Sequence, residues 1–207
     1  MDENTSLIYN SRKYILEILE ERGFDISEHS NFSINELNII IQNDQLDILV
    51  NNTNDKKVYV RYHINKAIRQ NNISEYIDDL FNIENVLTKN DDLIIIIKDE
   101  PNDTVEKIIK DIWIKQQIYV SIINIKRLQF NILKHVLVPK HVILTQEEEI
   151  EFKNNFNIQK DSEIPDIGYL SPVCQVLGVR PGNILKIIRP SRLSIESVFY
   201  RICKLKN

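Results

Sequence analysis

The side chains in this 207-residue sequence whose types and spacing could support chemistry lie mostly in its last third. From residue 180 to the end, Arg180, Lys186, Arg189, Arg192, Arg201, Lys204 and Lys206 are opposed only by Glu196. Such a cationic run suits a polyanion or an acidic protein surface, because arginine's forked donors match carboxylate and phosphate oxygens; its plain alternative is a solvated basic face. His135, His141, Cys174 and Cys203 carry the donors of a His2Cys2 zinc site, but their spacing fits no finger or ribbon. His141 is instead expected to pack or hydrogen-bond beside the Pro139 turn, and the cysteines to be ordinary semi-buried thiols. Ser171, Ser191 and Ser194 have no G-x-S-x-G elbow around them, and no glycine-rich phosphate loop is present. The residues therefore point to binding, with no catalytic group, no metal and no cofactor expected.

The elements that must position these cations are marked by backbone-fixing residues. Three of the four glycines (Gly168, Gly178, Gly182) fall within fifteen residues, among Pro165, Pro172, Pro181 and Pro190. "SPVCQVLG" reads as a short helix with Ser171 as N-cap, Pro172 at N1 and Gly178 just past its end. "RPGN" then turns the chain, and "ILKIIR" (184–189) and "SVFYRICK" (197–204) read as two strands separated by the loop "PSRLSIE". Upstream, "NILKHVLVPKHVILT" is strand-like on either side of Pro139, and Thr145 with Glu148 forms a capping box for the helix "EEEIEFKNNF".

The first part has a different grammar. Residues 6–22 place Leu7, Tyr14, Ile15, Ile18 and Leu19 at helical spacing before Gly23. "LDILVNN" (46–52) and "KKVYVRYHI" (56–64) read as a strand pair, and "NNISEYIDDLF" (71–81) as a helix. "DDLIIIIKDE" (91–100) is the unbroken apolar run of a strand buried on both faces. Asp103 and Glu106 start a helix through Ile108, Ile109, Ile112 and Trp113, and "IYVSIIN" (118–124) is a further strand. Alternating strands and helices predict an α/β, three-layer sheet domain over 1–129, followed by a small α+β module over 130–207.

Composition sets outer limits. With 43% hydrophobic and 27% charged residues the chain is of globular type. Two cysteines are too few for a disulfide scaffold and suggest a reducing compartment. The start, "MDENTSLIYN", lacks a cationic n-region, and no apolar run reaches membrane-span length, so a soluble intracellular protein without membrane association is expected. The formal charge of −4 divides unequally: residues 1–130 hold 15 Lys+Arg against 22 Asp+Glu, and residues 131–207 hold 11 against 8.

From residue 130 the sequence resembles the C-terminal assembly module found in the archaeal RNA polymerases and, as part of subunit five, in the eukaryotic nuclear RNA polymerases. The residues that carry the likeness are Leu137 to His141, the acidic helix after Thr145, Ile164-Pro165, Ser171-Pro172-Val173, Leu177 to Gly182, Lys186 to Ser191 and Tyr200-Arg201. They follow one another in uninterrupted order. Two departures stand out: Ser171 where the family has Asp, and Cys174-Gln175 where it has Ala-Arg, which removes a cation. The first 130 residues resemble the family less, though in plan they follow the jaw domain of eukaryotic members. AT-biased use of Ile and Asn, with this divergence, points to a large DNA virus of eukaryotes as the source.

The resemblance implies a restriction-endonuclease-like jaw over 1–129, and with it a nuclease test. Such enzymes hold a metal with an Asp on one strand and acid-x-Lys on the next. Asp47 could be the first ligand, but Val58-Tyr59-Val60-Arg61 has no carboxylate for the second, so no nuclease activity is expected. The resemblance further implies a non-catalytic polymerase subunit. Its C-terminal module would dock on the largest subunit, among other polymerase subunits, and its jaw would sit by downstream DNA. Pro139, His141, Arg180, Gly182, Lys186, Arg189, Pro190, Tyr200 and Arg201 are the expected partner interface, and Lys56, Lys57, Lys66 and Arg69 the cations best placed near DNA. The chain would act in the nucleus or cytoplasm, or in a viral factory or virion. The other reading is a free-standing regulator that binds polymerase through a subunit-like module.

Overall fold

The computed structural model describes residues 3–30, 32–191 and 194–205. The chain divides into two compact units, Met1–Asn131 and Ile132–Asn207. Both mix helices with a four-stranded mixed sheet.

The first unit opens with α1 (Glu3–Glu21), which buries Ile8, Ile15, Leu16, Ile18 and Leu19. Gly23 follows it with a φ of +84°, the left-handed turn that a side chain would strain. Helix α2 (Ile34–Gln42) is an element that the apolar patterning alone does not place. Its start signal is nonetheless plain: Ser33 Oγ accepts from the Glu36 N–H, and Glu36 accepts from the Ser33 N–H in return. Strands β1 (Ile48–Asn51) and β2 (Lys57–His63) pair antiparallel as expected. Helix α3 (Gln70–Ile77) then widens over Asp78–Ile83 into π-type turns, with the Glu84 N–H reaching the Asp79 carbonyl. Strands β3 (Asp92–Ile97) and β4 (Tyr119–Asn124) join in parallel, for the order β1-β2-β3-β4, and every one of their residues is buried. Both faces of the sheet centre are thus covered. Helix α4 (Asp103–Gln116) starts one residue earlier than its D-x-x-E signal suggests. The cap is Asn102, whose side chain accepts from the Val105 N–H at 2.9 Å.

The second unit contains β5 (Lys140–Ile143), α5 (Gln146–Asn155), β6 (Asp166–Gly168), α6 (Pro172–Leu177), β7 (Ile184–Ser191) and β8 (Ile195–Lys204), with sheet order β5-β7-β8-β6. The Thr145–Glu148 capping box closes with both bonds made. "RPGN" is a type II turn: the Asn183 N–H meets the Arg180 carbonyl at 3.0 Å and Gly182 has a φ of +97°. Strand structure upstream of Pro139 does not form. Residues 132–134 are a 3-10 turn, and Val136 and Leu137 are 92% and 82% exposed, with no sheet to pair with. The strands β7 and β8, by contrast, run further into the expected loop, pairing as far as Ser191 with Ile195. Pro190 is tolerated there because β5 ends opposite Ile188, which leaves β7 a free edge beyond it. Ser171 stands at the start of α6, but its hydroxyl makes no capping bond and instead faces the Cys174 thiol.

A candidate docking face on the second unit

Register decides which of the cations share a surface. His141 is paired with Ile187 across β5 and β7, and Ile187 with Phe199 across β7 and β8, so all three lie on one face. Two residues along each strand, Arg189 and Arg201 join that face. Together with Pro139, and with Ile167 from β6, they line a groove of about 320 Å³. Its floor is the buried Ile187 and the half-exposed Phe199.

The polar groups of this groove are held in place. The Arg189 guanidinium lies 3.8 Å from the centre of the Phe199 ring, where the negative ring face holds it. Arg201 donates to the Asp166 carbonyl at 2.8 Å, bridging β8 to β6. His141 donates from Nδ1 to the Pro139 carbonyl at 2.7 Å, as the sequence suggested. Its burial pushes the imidazole pKa down, against the pull of that bond. Two arginines over an apolar floor can bind carboxylates next to apolar side chains.

The remaining expected interface residues are placed elsewhere. Lys186 and Tyr200 face each other on the opposite side of the sheet, where Tyr200 stacks on Phe152 with ring centres 4.1 Å apart. That side is the unit's core of Leu144, Phe152, Ile164, Ile184 and Ile202. Pro190 falls on the same side by alternation. Arg180 and Gly182 belong to the type II turn, where Gly182 serves backbone geometry. Arg192 and Lys206 lie outside the described residues. Ile167, Ile187 and Phe199 were not singled out from the sequence. The period-two pattern of "SVFYRIC", which sets Phe199 beside Arg201, was the available signal.

In the first unit the nuclease test has a geometric answer. Asp47 accepts from Arg61 at 2.8 Å, from the Tyr59 hydroxyl at 3.0 Å and from the Tyr62 N–H at 3.0 Å. Burial, and then the Asp47 charge, pushes the Tyr59 pKa up. Tyr59 and Arg61 thus close over the one carboxylate. Among the described residues no three His, Cys, Asp or Glu side chains converge as metal ligands. The buried Cys174 and Cys203 meet each other, and contact with Cys174 together with burial holds Cys203 protonated. Of the four cations expected near DNA, two are engaged within the unit. Lys56 pairs with the buried Asp92 at 3.0 Å, and the Lys57 ammonium donates to the Val86 carbonyl at 3.2 Å. Lys66 and Arg69 are exposed, Lys66 on the rim of a cleft of about 400 Å³ beside Asp47 and Arg61.

Residues 130–203 match the family model described as RNA polymerase Rpb5, C-terminal domain. Over 75 residues the chain is 40% identical to the DNA-directed RNA polymerase subunit Rpo5 of Archaeoglobus fulgidus, spanning 36% of this chain and 97% of that protein. Over 75 residues it is 41% identical to the RNA polymerases I, II, and III subunit RPABC1 of Caenorhabditis elegans, spanning 36% of this chain and 35% of that one. A longer match, 24% identical over 201 residues, joins it to subunit rpabc1 of Dictyostelium discoideum and spans 97% of this chain and 99% of that one.

Proposed function

The chain belongs to the RNA polymerase subunit five family, and on that premise we propose that it is a non-catalytic subunit of a multisubunit DNA-directed RNA polymerase. The observation that carries this reading is the match of residues 130–203 to an archaeal polymerase subunit that consists almost entirely of the matched module. In this chain all but the first two of these residues belong to the second unit. Residues 130–207 are the assembly module, docking on the largest subunit with the groove between His141, Arg189 and Arg201. Residues 1–129 are the jaw, of restriction-endonuclease-like descent, placed beside the downstream duplex with Lys66 and Arg69 as its available cations. Asp47, closed off by Arg61, takes no part in cleavage. The subunit works wherever its polymerase does, in the nucleus or the cytoplasm. Among the described residues no helix is long and apolar enough to cross a membrane.

The test is affinity purification of the tagged full-length chain from its native cell, washed at high salt, with bound proteins quantified. Two very large polypeptides at one-to-one stoichiometry, with template-dependent RNA synthesis in the eluate, are the expected result. Recovery of the chain alone, or at a small fraction of the polymerase, would sink the subunit reading in favour of a free-standing regulator.

A further inference from the structure

We infer that the outer edge of β8 at Val198 and Tyr200 seats an added strand, an extended segment of a neighbouring polymerase subunit carrying apolar and acidic side chains. The inference rests on the subunit reading above and names the form that docking takes. Strand β8 has β7 beside it from Ile195 to Ile202, whereas β6 pairs only with Ile202, Cys203 and Lys204. The stop is Pro165. The Ile202 N–H donates to the Pro165 carbonyl at 2.9 Å, and the Lys204 carbonyl accepts from the Tyr169 N–H at 3.0 Å, so even-numbered residues of β8 turn their backbone groups away from β7. In a parallel ladder the next carbonyl, that of Tyr200, would accept from residue 165, and proline has no N–H to give. The chain before it leaves the edge as a 3-10 turn over Asp161–Glu163. Alternation therefore directs the N–H and C=O groups of Val198 and Tyr200 outward, with no strand beside them among the described residues. Glu196, further out, is closed on itself by two bonds with Ser194.

An open edge of this kind is normally guarded by lysine, proline or a bulge, because it pairs readily with other chains. Here its guards are few and its surroundings apolar: Ile195, Val198 and Phe199 are 86%, 46% and 39% exposed. The occupant follows from what flanks the edge. Side chains of an added strand alternate between two sides. One side is the groove floored by Ile187 and Phe199 and rimmed by Arg189 and Arg201. The other holds Tyr200 and the exposed ring of Phe156, 5.8 Å apart between centres. Apolar side chains fill both sides, and carboxylates complement the two arginines.

The test uses the full chain, free and within purified polymerase, followed by hydrogen–deuterium exchange of peptides covering residues 195–201. Exchange at Val198 and Tyr200 is expected to be fast in the free chain and slowed by about tenfold or more in the complex, as strand pairing requires. Val198→Pro removes one outward N–H that no group among the described residues uses. It should keep the circular dichroism spectrum of the parent while its share in the polymerase falls about tenfold in competition with the parent. Stoichiometric incorporation with unchanged exchange over 195–201, or a folded Val198→Pro chain that competes as the parent does, would overturn the added strand and leave the subunit reading intact. Protection that appears in the free chain with rising concentration assigns the edge to a second copy and likewise overturns it. Failure to co-purify with polymerase overturns the subunit reading first, and this inference with it.

Discussion

Arg61 and Asp47 are joined at 2.8 Å on neighbouring segments of the first unit, so the guanidinium stands where a metal ion would have to bind the carboxylate. The carboxylate serves as a structural acceptor. Tyr59 and the Tyr62 N–H complete it.

Asp47→Ala removes the acceptor of all three bonds and is expected to destabilise the chain by about 2 kcal/mol, since bonds to a charged group exceed neutral ones. Arg61→Ala, from a partly exposed pair, should cost about 1 kcal/mol or less. Urea unfolding of both variants measures the order. An Arg61→Ala protein as weak as Asp47→Ala would show that the ion pair alone carries the site.

Asp92 is fully buried between Arg22 and Lys56. Its replacement by Ala takes away the buried carboxylate that Arg22 pairs with, for an expected loss of about 3 kcal/mol. Lys56→Ala, whose side chain is 30% exposed, should lose about 1 kcal/mol or less. Equal losses from the two would contradict the burial difference.

Phe199→Ala should separate docking from folding. The ring is half-exposed and its loss should cost about 1 kcal/mol of stability or less, yet competition for incorporation should fall about tenfold, as for an aromatic anchor in an interface. Arg189→Ala should do the same more weakly, because it leaves the ring in place. Competition between tagged and untagged chains reads both effects.

His141 predicts a pH dependence of known sign. Its folded pKa is depressed by burial from the ordinary 6.5, so below that value the unfolded state takes up the proton first. The contribution of the neutral imidazole is complete above about pH 6.5 and is lost as pH falls through the folded pKa. His141→Gln should flatten the dependence of the urea midpoint between pH 7.5 and 5.5. An unchanged slope would place the titration on another group.

Much of the second unit was legible because its signals are local. The Thr145–Glu148 box, the Gly182 turn and the bounds of α6 each depend on a few adjacent residues. The same holds for the buried run of β3, where five successive apolar side chains leave no alternative face. Helix α2 is also written locally, in Ser33 and Glu36, a capping signal that is easily missed because only Leu37 of the helix is buried.

What the sequence determined by itself, then, was the type and place of most elements and the family, because capping, turns and apolar runs are short-range and the motifs are contiguous. The tertiary structure alone decided which cations act together. Lys56 turned inward because a buried carboxylate at Asp92 needs countercharge, and Lys186 parted from Arg189 because strand alternation sends odd and even positions to opposite faces. It also decided that residues 132–138 are not a strand and that β8 keeps an open edge. Pairing needs a partner at the right distance and an N–H to give, and Pro165, the residue from which the Tyr200 carbonyl would have to accept, has none.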